Sequence, residues 1–159
     1  MQSEPTQEHA WLRELVGSWA YTSSCFMGPD KPAMEASGRE VIRALGELWI
    51  VCENEGRMPD GQTMHAIMTL GYDPARQRFV GTWIGSPMTH MFLYEGQLDD
   101  QRRVLPLETT GPSMVEPTKT ARYRDVIEVR SPDERAMYAE MLGDDGAWFR
   151  FMSANYRRA

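Results

Sequence analysis

The sequence predicts an all-β fold, an antiparallel up-and-down barrel of about ten strands capped by one short N-terminal helix. Three observations carry this reading. From Ser18 onward the apolar residues recur with period two along segments roughly ten residues long, as strands with one buried face do. Clusters of turn-forming residues, among them Met58-Pro59-Asp60-Gly61 and Gly143-Asp144-Asp145-Gly146, fall at nearly every junction, with no helical pattern between them. So many strands in an open sheet would leave unpaired edges, and closure removes them while leaving room inside for one small ligand. A two-sheet sandwich is the alternative architecture; hairpin turns at successive junctions favour the meander.

The elements follow in order. Residues 1–7 are polar and expected to be mobile. Over 8–16, Trp11, Leu12, Leu15 and Val16 recur at helical spacing and Gly17 supplies a stop. A helix of about two turns is not stable alone in water, so it must pack on something, and one end of the barrel is the natural place. The barrel then runs over 18–157. Trp19 to Met27 is the first strand, ended by Gly28-Pro29-Asp30-Lys31-Pro32. Met34 to Leu45 and Leu48 to Met58 pair through Gly46-Glu47, and the Pro59-Asp60-Gly61 turn suits a hairpin. Next come Met64 to Tyr72, Phe79 to Ile84 and Met91 to Leu98. Val104 to Thr110 contains Pro106 and is closed by Gly111-Pro112; an internal proline places that strand at an edge, a bulge or a weak point of closure. Thr118 to Arg130, Arg135 to Leu142 and Ala147 to Arg157 complete the set. In the last strand Trp148, Arg150 and Met152 alternate with Phe149, Phe151 and Ser153, neither face is clearly the wetter, and one bulge would reverse the choice.

With 159 residues the chain is expected to form one domain, residues 1–159, with a full core. A composition 42% hydrophobic and 25% charged is that of an ordinary globular protein. The net charge of −6 argues against nucleic acid, which needs a basic surface to displace counterions. No apolar run spans a bilayer and the N-terminus lacks the pattern of a secretory signal, so the expected compartment is the cytoplasm and no membrane partner is expected. Cys25 and Cys52 have no CxxC spacing and read as free, buried thiols.

Several ordered segments carry a family resemblance. His9-Ala10-Trp11-Leu12 with Leu15-Val16-Gly17-Ser18-Trp19, Thr69-Leu70-Gly71-Tyr72-Asp73-Pro74, Phe79-Val80-Gly81-Thr82-Trp83-Ile84-Gly85 and Tyr123-Arg124-Asp125-Val126 resemble a bacterial family known as domain of unknown function 1579. The resemblance covers nearly the whole chain and implies a lipocalin-like or fatty-acid-binding-protein-like barrel, with no established activity or catalytic residues. The opening helix with its Gly-x-Trp triplet is also similar to the start of calycin barrels. Haem-binding barrels of this shape use a late histidine, and none follows His90.

The strand around residues 90–98 is the most informative for function. His90, Phe92 and Tyr94 share one face, while Glu95 and Gln97 on the other face suit solvent, so the first three are expected to point inward. Trp83, Tyr123 and Asp125 are assigned inward by the same test. The expected site is therefore a largely apolar cavity formed by Trp83, Phe92 and their neighbours, with His90, Tyr94, Tyr123 and Asp125 as its polar anchors, holding a small hydrophobic or aromatic ligand. Twelve methionines suit an adaptable apolar space. The plainer alternative is a filled core whose polar groups satisfy one another, with function on the outer surface, for instance a homodimer through Val80, Thr82 and Ile84. An enzyme would use His90 as a general base oriented by Asp125 or another acid. No Gly-x-Ser-x-Gly elbow surrounds Ser86 or Ser113, and His65 and His90 form no HxH or HxxxH pair, so neither a serine nucleophile, a metal nor a cofactor is expected. His9 is expected to be partly exposed on the capping helix.

Overall fold

Alternation of apolar and polar residues along ten segments gives ten strands, and each pairs with its neighbour in sequence. The computed structural model describes residues 1–26, 28 and 30–159. A helix, α1 (Gln7–Arg13), precedes β1 (Gly17–Cys25), β2 (Met34–Leu45), β3 (Trp49–Arg57), β4 (Thr63–Asp73), β5 (Arg78–Gly85), β6 (Phe92–Gly96), β7 (Val104–Pro112), β8 (Thr120–Ser131), β9 (Glu134–Leu142) and β10 (Trp148–Arg158). All pairings are antiparallel, and β1 joins both β2 and β10, so the meander closes into a barrel with no free edge. The first strand stops at Cys25; Met27, expected to end it, and Pro29 of the following turn lie outside the described residues.

The closure is not uniform. Between β6 and β7 only Glu95 with Glu108 and Gly96 with Leu107 are in register, whereas nine pairs join β7 to β8. Strand β6 is shorter than its apolar run suggests, because Met91 and Leu98 lie beyond the paired segment. Pro106 sits at this seam with its carbonyl toward Gly96. A strand residue turns its N–H and C=O to the same side, so the donor that proline lacks is lost from the seam already short of pairs. Gly111 and Pro112 continue β7 rather than closing it.

The helix is shorter than expected and survives by docking over one end of the barrel. Trp11, Leu12 and Leu15 are at most 5% exposed. Burying each contributes about 1.5–3 kcal/mol, enough to hold a segment that would not be helical alone. Ring N–H groups complete the dock. Trp11 Nε1 donates to the Arg102 carbonyl at 2.9 Å and Trp19 Nε1 to the Leu15 carbonyl at 2.9 Å. His9, expected to be partly exposed, is buried: its Nδ1 accepts the Thr6 backbone N–H at 2.8 Å, which leaves Nε2–H to donate to the Tyr72 carbonyl at 3.0 Å. From Arg158, at the end of β10, the guanidinium donates to the Val16 and Glu14 carbonyls, tying the last strand to the helix and the first.

The ambiguity in β10 is resolved by a register shift between Arg150 and Met152. Before it, Trp148 faces outward under the Arg124 guanidinium, 4.3 Å from the ring centroid, and Arg150 Nε donates to Glu140 at 3.1 Å. After it, Met152, Ala154 and Tyr156 face inward, and Phe151, at the extra position, also reaches the interior. No single face of this strand is the inner one along its whole length.

Candidate functional site

The interior is filled near the helix and open away from it. Under the helix, Trp19, Ile50, Leu70, Phe79, Leu105 and Leu107 pack into a core with no more than 2% exposure each. Beyond them lies a cavity of about 360 Å³. That volume falls within the range of small-molecule sites. Met58, Met88 and Met114, from three different turns, stand at its mouth, and Met64, Met68, Met137 and Met152 line it deeper in.

One wall is aromatic. Trp83 meets Phe92 edge to face at 5.8 Å, Phe92 meets Tyr123 at 6.2 Å, and Tyr123 meets Phe151 at 6.1 Å. These T-shaped contacts follow from the register of β5 against β6, which pairs Trp83 with Phe92. On the opposite wall Tyr21 stacks on Tyr156 at 4.9 Å. Tyr21 lies against Gly38 and Gly56, where any Cβ would collide with its hydroxyl, so the two glycines make room for the ring.

Polar groups are few and mostly paired. Tyr94 is 3% exposed and its hydroxyl donates to Asp125 Oδ2. Desolvation pushes the Asp125 carboxyl up to about 6, partly offset by the Tyr94 hydrogen bond, and burial beside Asp125 pushes the Tyr94 phenol well above its ordinary value. Leu107, Tyr94 and Ala139 on the surrounding strands leave Asp125 facing no positive charge. Tyr123 holds the β7–β8 loop, donating to the Pro112 carbonyl at 2.7 Å and accepting from the Met114 N–H at 3.1 Å. Across the cavity, Tyr21 donates to Asn54 Oδ1 at 2.9 Å, and Asn54 Nδ2 lies 3.4 Å from Glu40 Oε2.

Glu40 in turn pairs with Arg135, which is 3% exposed and whose guanidinium lies 3.9 Å from the Tyr156 ring centroid and 4.8 Å from that of Trp19. This ion pair marks the boundary between the filled half and the cavity. Cys25 and Cys52 are both free and both on the cavity wall; burial raises both thiols, Cys52 by far the more.

The profile of the family described as "Protein of unknown function (DUF1579)" matches residues 4–158. The chain belongs to this family. No curated protein matches it significantly. Among solved structures it is similar to Rv2717c from M. tuberculosis, 16% identical with a TM-score of 0.67, over 98% of this chain and 99% of that one. It is also similar to the S-type phycobiliprotein lyase CPES from Guillardia theta, 14% identical with a TM-score of 0.61, over 96% and 92% of the two chains. A third likeness is to EF1p2_mFAP2b bound to DFHBI, 14% identical with a TM-score of 0.51, over 95% and 98%. At these identities the likeness is one of fold.

Within this DUF1579 barrel, Trp83, Phe92, Tyr94, Tyr123 and Asp125 line one cavity. His90 does not. It precedes β6, and its ring stands against Phe92 at 4.7 Å and beside Gly111, with Nε2 3.1 Å from the Thr110 carbonyl oxygen. The alternation that turns Phe92 and Tyr94 inward does not extend to His90 because the strand pairing begins only at Phe92. Among the described residues the hydrogen-bond partner of His90 is the Thr110 backbone carbonyl rather than Asp125 or another acid. Val80, Thr82 and Ile84 lie on the outer face, where Thr82 shares a 2.8 Å hydrogen bond with Thr69.

Sequence reading missed Glu40 and Arg135. A signal existed, since Glu40 alternates in phase with Ile42 and Arg135 with Met137, but charged residues at inward positions read as strand ends or errors of phase until a partner is seen. Among the described residues no group of three or more His, Cys, Asp or Glu side chains is arranged to hold a metal, and no helix is long and apolar enough to cross a membrane.

Proposed function

We propose that this protein binds one small, largely apolar molecule of aromatic size inside the barrel, with Trp83, Phe92, Tyr94, Tyr123 and Asp125 among its contacts. The observation that carries the reading is the cavity of about 360 Å³ walled by aromatic rings and methionines, with the hydrogen-bonded Tyr94–Asp125 pair among its few polar features. Rigid rings supply contact area at low entropic cost, and thioethers adapt to the shape of the occupant. A barrel of similar fold has DFHBI bound, which supports a small aromatic occupant.

Native mass spectrometry of gently purified protein, followed by titration of tryptophan fluorescence with aromatic and lipid compounds, tests this. An adduct or saturable quenching is expected, and Ala66→Phe, which places a ring in the void, should abolish it while the fold persists. Equal binding by Ala66→Phe would count against the cavity as the site. The same spectra report the assembly. Self-association is the second reading, favoured by exposed Ile67, Ile84 and Leu93 on adjacent strands of the outer face; a purely monomeric mass would remove it.

A further inference from the structure

The occupant's chemistry is constrained by the charges on the cavity wall, an argument that rests on the binding reading above. Two carboxylates line the cavity, Glu40 and Asp125, and no lysine, arginine or histidine among the described residues does. They are not equivalent. Glu40 is neutralised by Arg135 and touched by Asn54. Asp125 has no ionic partner, and its one side-chain hydrogen bond, from Tyr94, engages Oδ2 and leaves Oδ1 without a partner among the described residues.

An apolar occupant lying over this wall would strip water from an unpaired carboxylate oxygen and return nothing, which is costly. An anion would add like charge to a site without a free cation. A positively charged N–H donor removes both penalties, and the rings beside Asp125, Phe92 and Tyr123, with the Tyr21–Tyr156 stack opposite, suit the rest of such a molecule. We infer that the cavity selects a protonated amine carried on an apolar, aromatic-sized body, the ammonium donating to Asp125 Oδ1, and that it rejects carboxylates of the same shape.

Three near-isosteric probes test this on the wild-type protein at neutral pH, with affinities read by calorimetry: naphthylethylamine, naphthylethanol and naphthylpropanoate. The amine should bind about 10-fold more tightly than the alcohol, the ratio expected between a charge-assisted and a neutral hydrogen bond, and the carboxylate should bind more weakly than either. Asp125→Asn should bring the amine's affinity down to that of the alcohol. A carboxylate that binds as tightly as the amine, or an amine preference that survives Asp125→Asn, overturns the inference while leaving the binding barrel in place. Failure of all three probes to bind overturns the inference together with the reading beneath it. The wild-type comparison decides the matter even if the variant does not fold.

Discussion

Along the same strands, the inward positions near the helix carry Trp19, Ile42, Ile50, Leu70 and Ile127, none more than 3% exposed, while toward the mouth they carry Ser23, Ala36, Asn54, Ala66 and Tyr123. The alternation is unbroken between the two halves. What changes is side-chain volume: branched aliphatics and a tryptophan fill the barrel radius at one end, and small residues with flexible methionines leave space at the other. A barrel of this kind holds stability and a binding volume in different layers of one interior. The Glu40–Arg135 pair, sandwiched by Trp19 and Tyr156, separates the layers.

The boundary is where the largest single effect is expected. Arg135→Met should destabilise the fold by about 3–5 kcal/mol, because Glu40 is left buried and unpaired, and most of that loss should return in the double variant with Glu40→Leu. Urea unfolding of the two variants measures it. A cost below about 1 kcal/mol for the single change would mean that the pair is solvated and separates nothing.

Next in size is the contrast between the halves. Phe79→Ala, in the filled end, should cost about 3–5 kcal/mol, since it opens a void among Trp11, Tyr72 and Leu70. Met64→Ala, on the cavity wall, should cost less than about 1 kcal/mol, since it enlarges a space that already exists. Matched thermal melts give the comparison, and equal losses would show that the cavity half is packed as tightly as the other.

A further effect, smaller than those in the filled half, belongs to Asp125 and is read through pH. Its folded-state pKa of about 6 lies above the value of an unfolded aspartate, so the folded state holds the proton more firmly. The resulting stabilisation is complete below about pH 4 and is lost as pH rises through about 6. At neutral pH the ionised carboxylate therefore weighs against the fold, and Asp125→Asn should be more stable than wild type by about 1–3 kcal/mol, with the difference vanishing in acid. Denaturant midpoints of both proteins across pH 4–8 test the sign; a variant less stable at pH 7 would mean that the Tyr94–Asp125 pair supports the fold rather than the site.

Much of the inner surface was legible from local pattern. Trp83, Phe92, Tyr94, Tyr123 and Asp125 each lie within a paired strand of continuous register, so their direction follows from period two alone. His90 lies two residues before its strand begins, where pleating no longer dictates direction, and its ring is held by the Thr110 carbonyl instead. In β10 the register shift between Arg150 and Met152 changes which face is inner midway, and no count along the sequence announces where that occurs. His9 read as a surface residue because its burial depends on the Tyr72 carbonyl, 63 residues away.

By itself the sequence determined the class of fold: ten alternating strands, short turns between them, a helix that needs a surface, and too many edges to remain open. These are consequences of forces acting within a few residues, and the chain states them directly. Whether the interior is full or hollow was decided only when all ten strands stood around it. That outcome is a sum of volumes from residues far apart in the chain, and so is the meeting of Glu40 with Arg135, 95 residues away, which balances a buried charge that neither strand could carry alone.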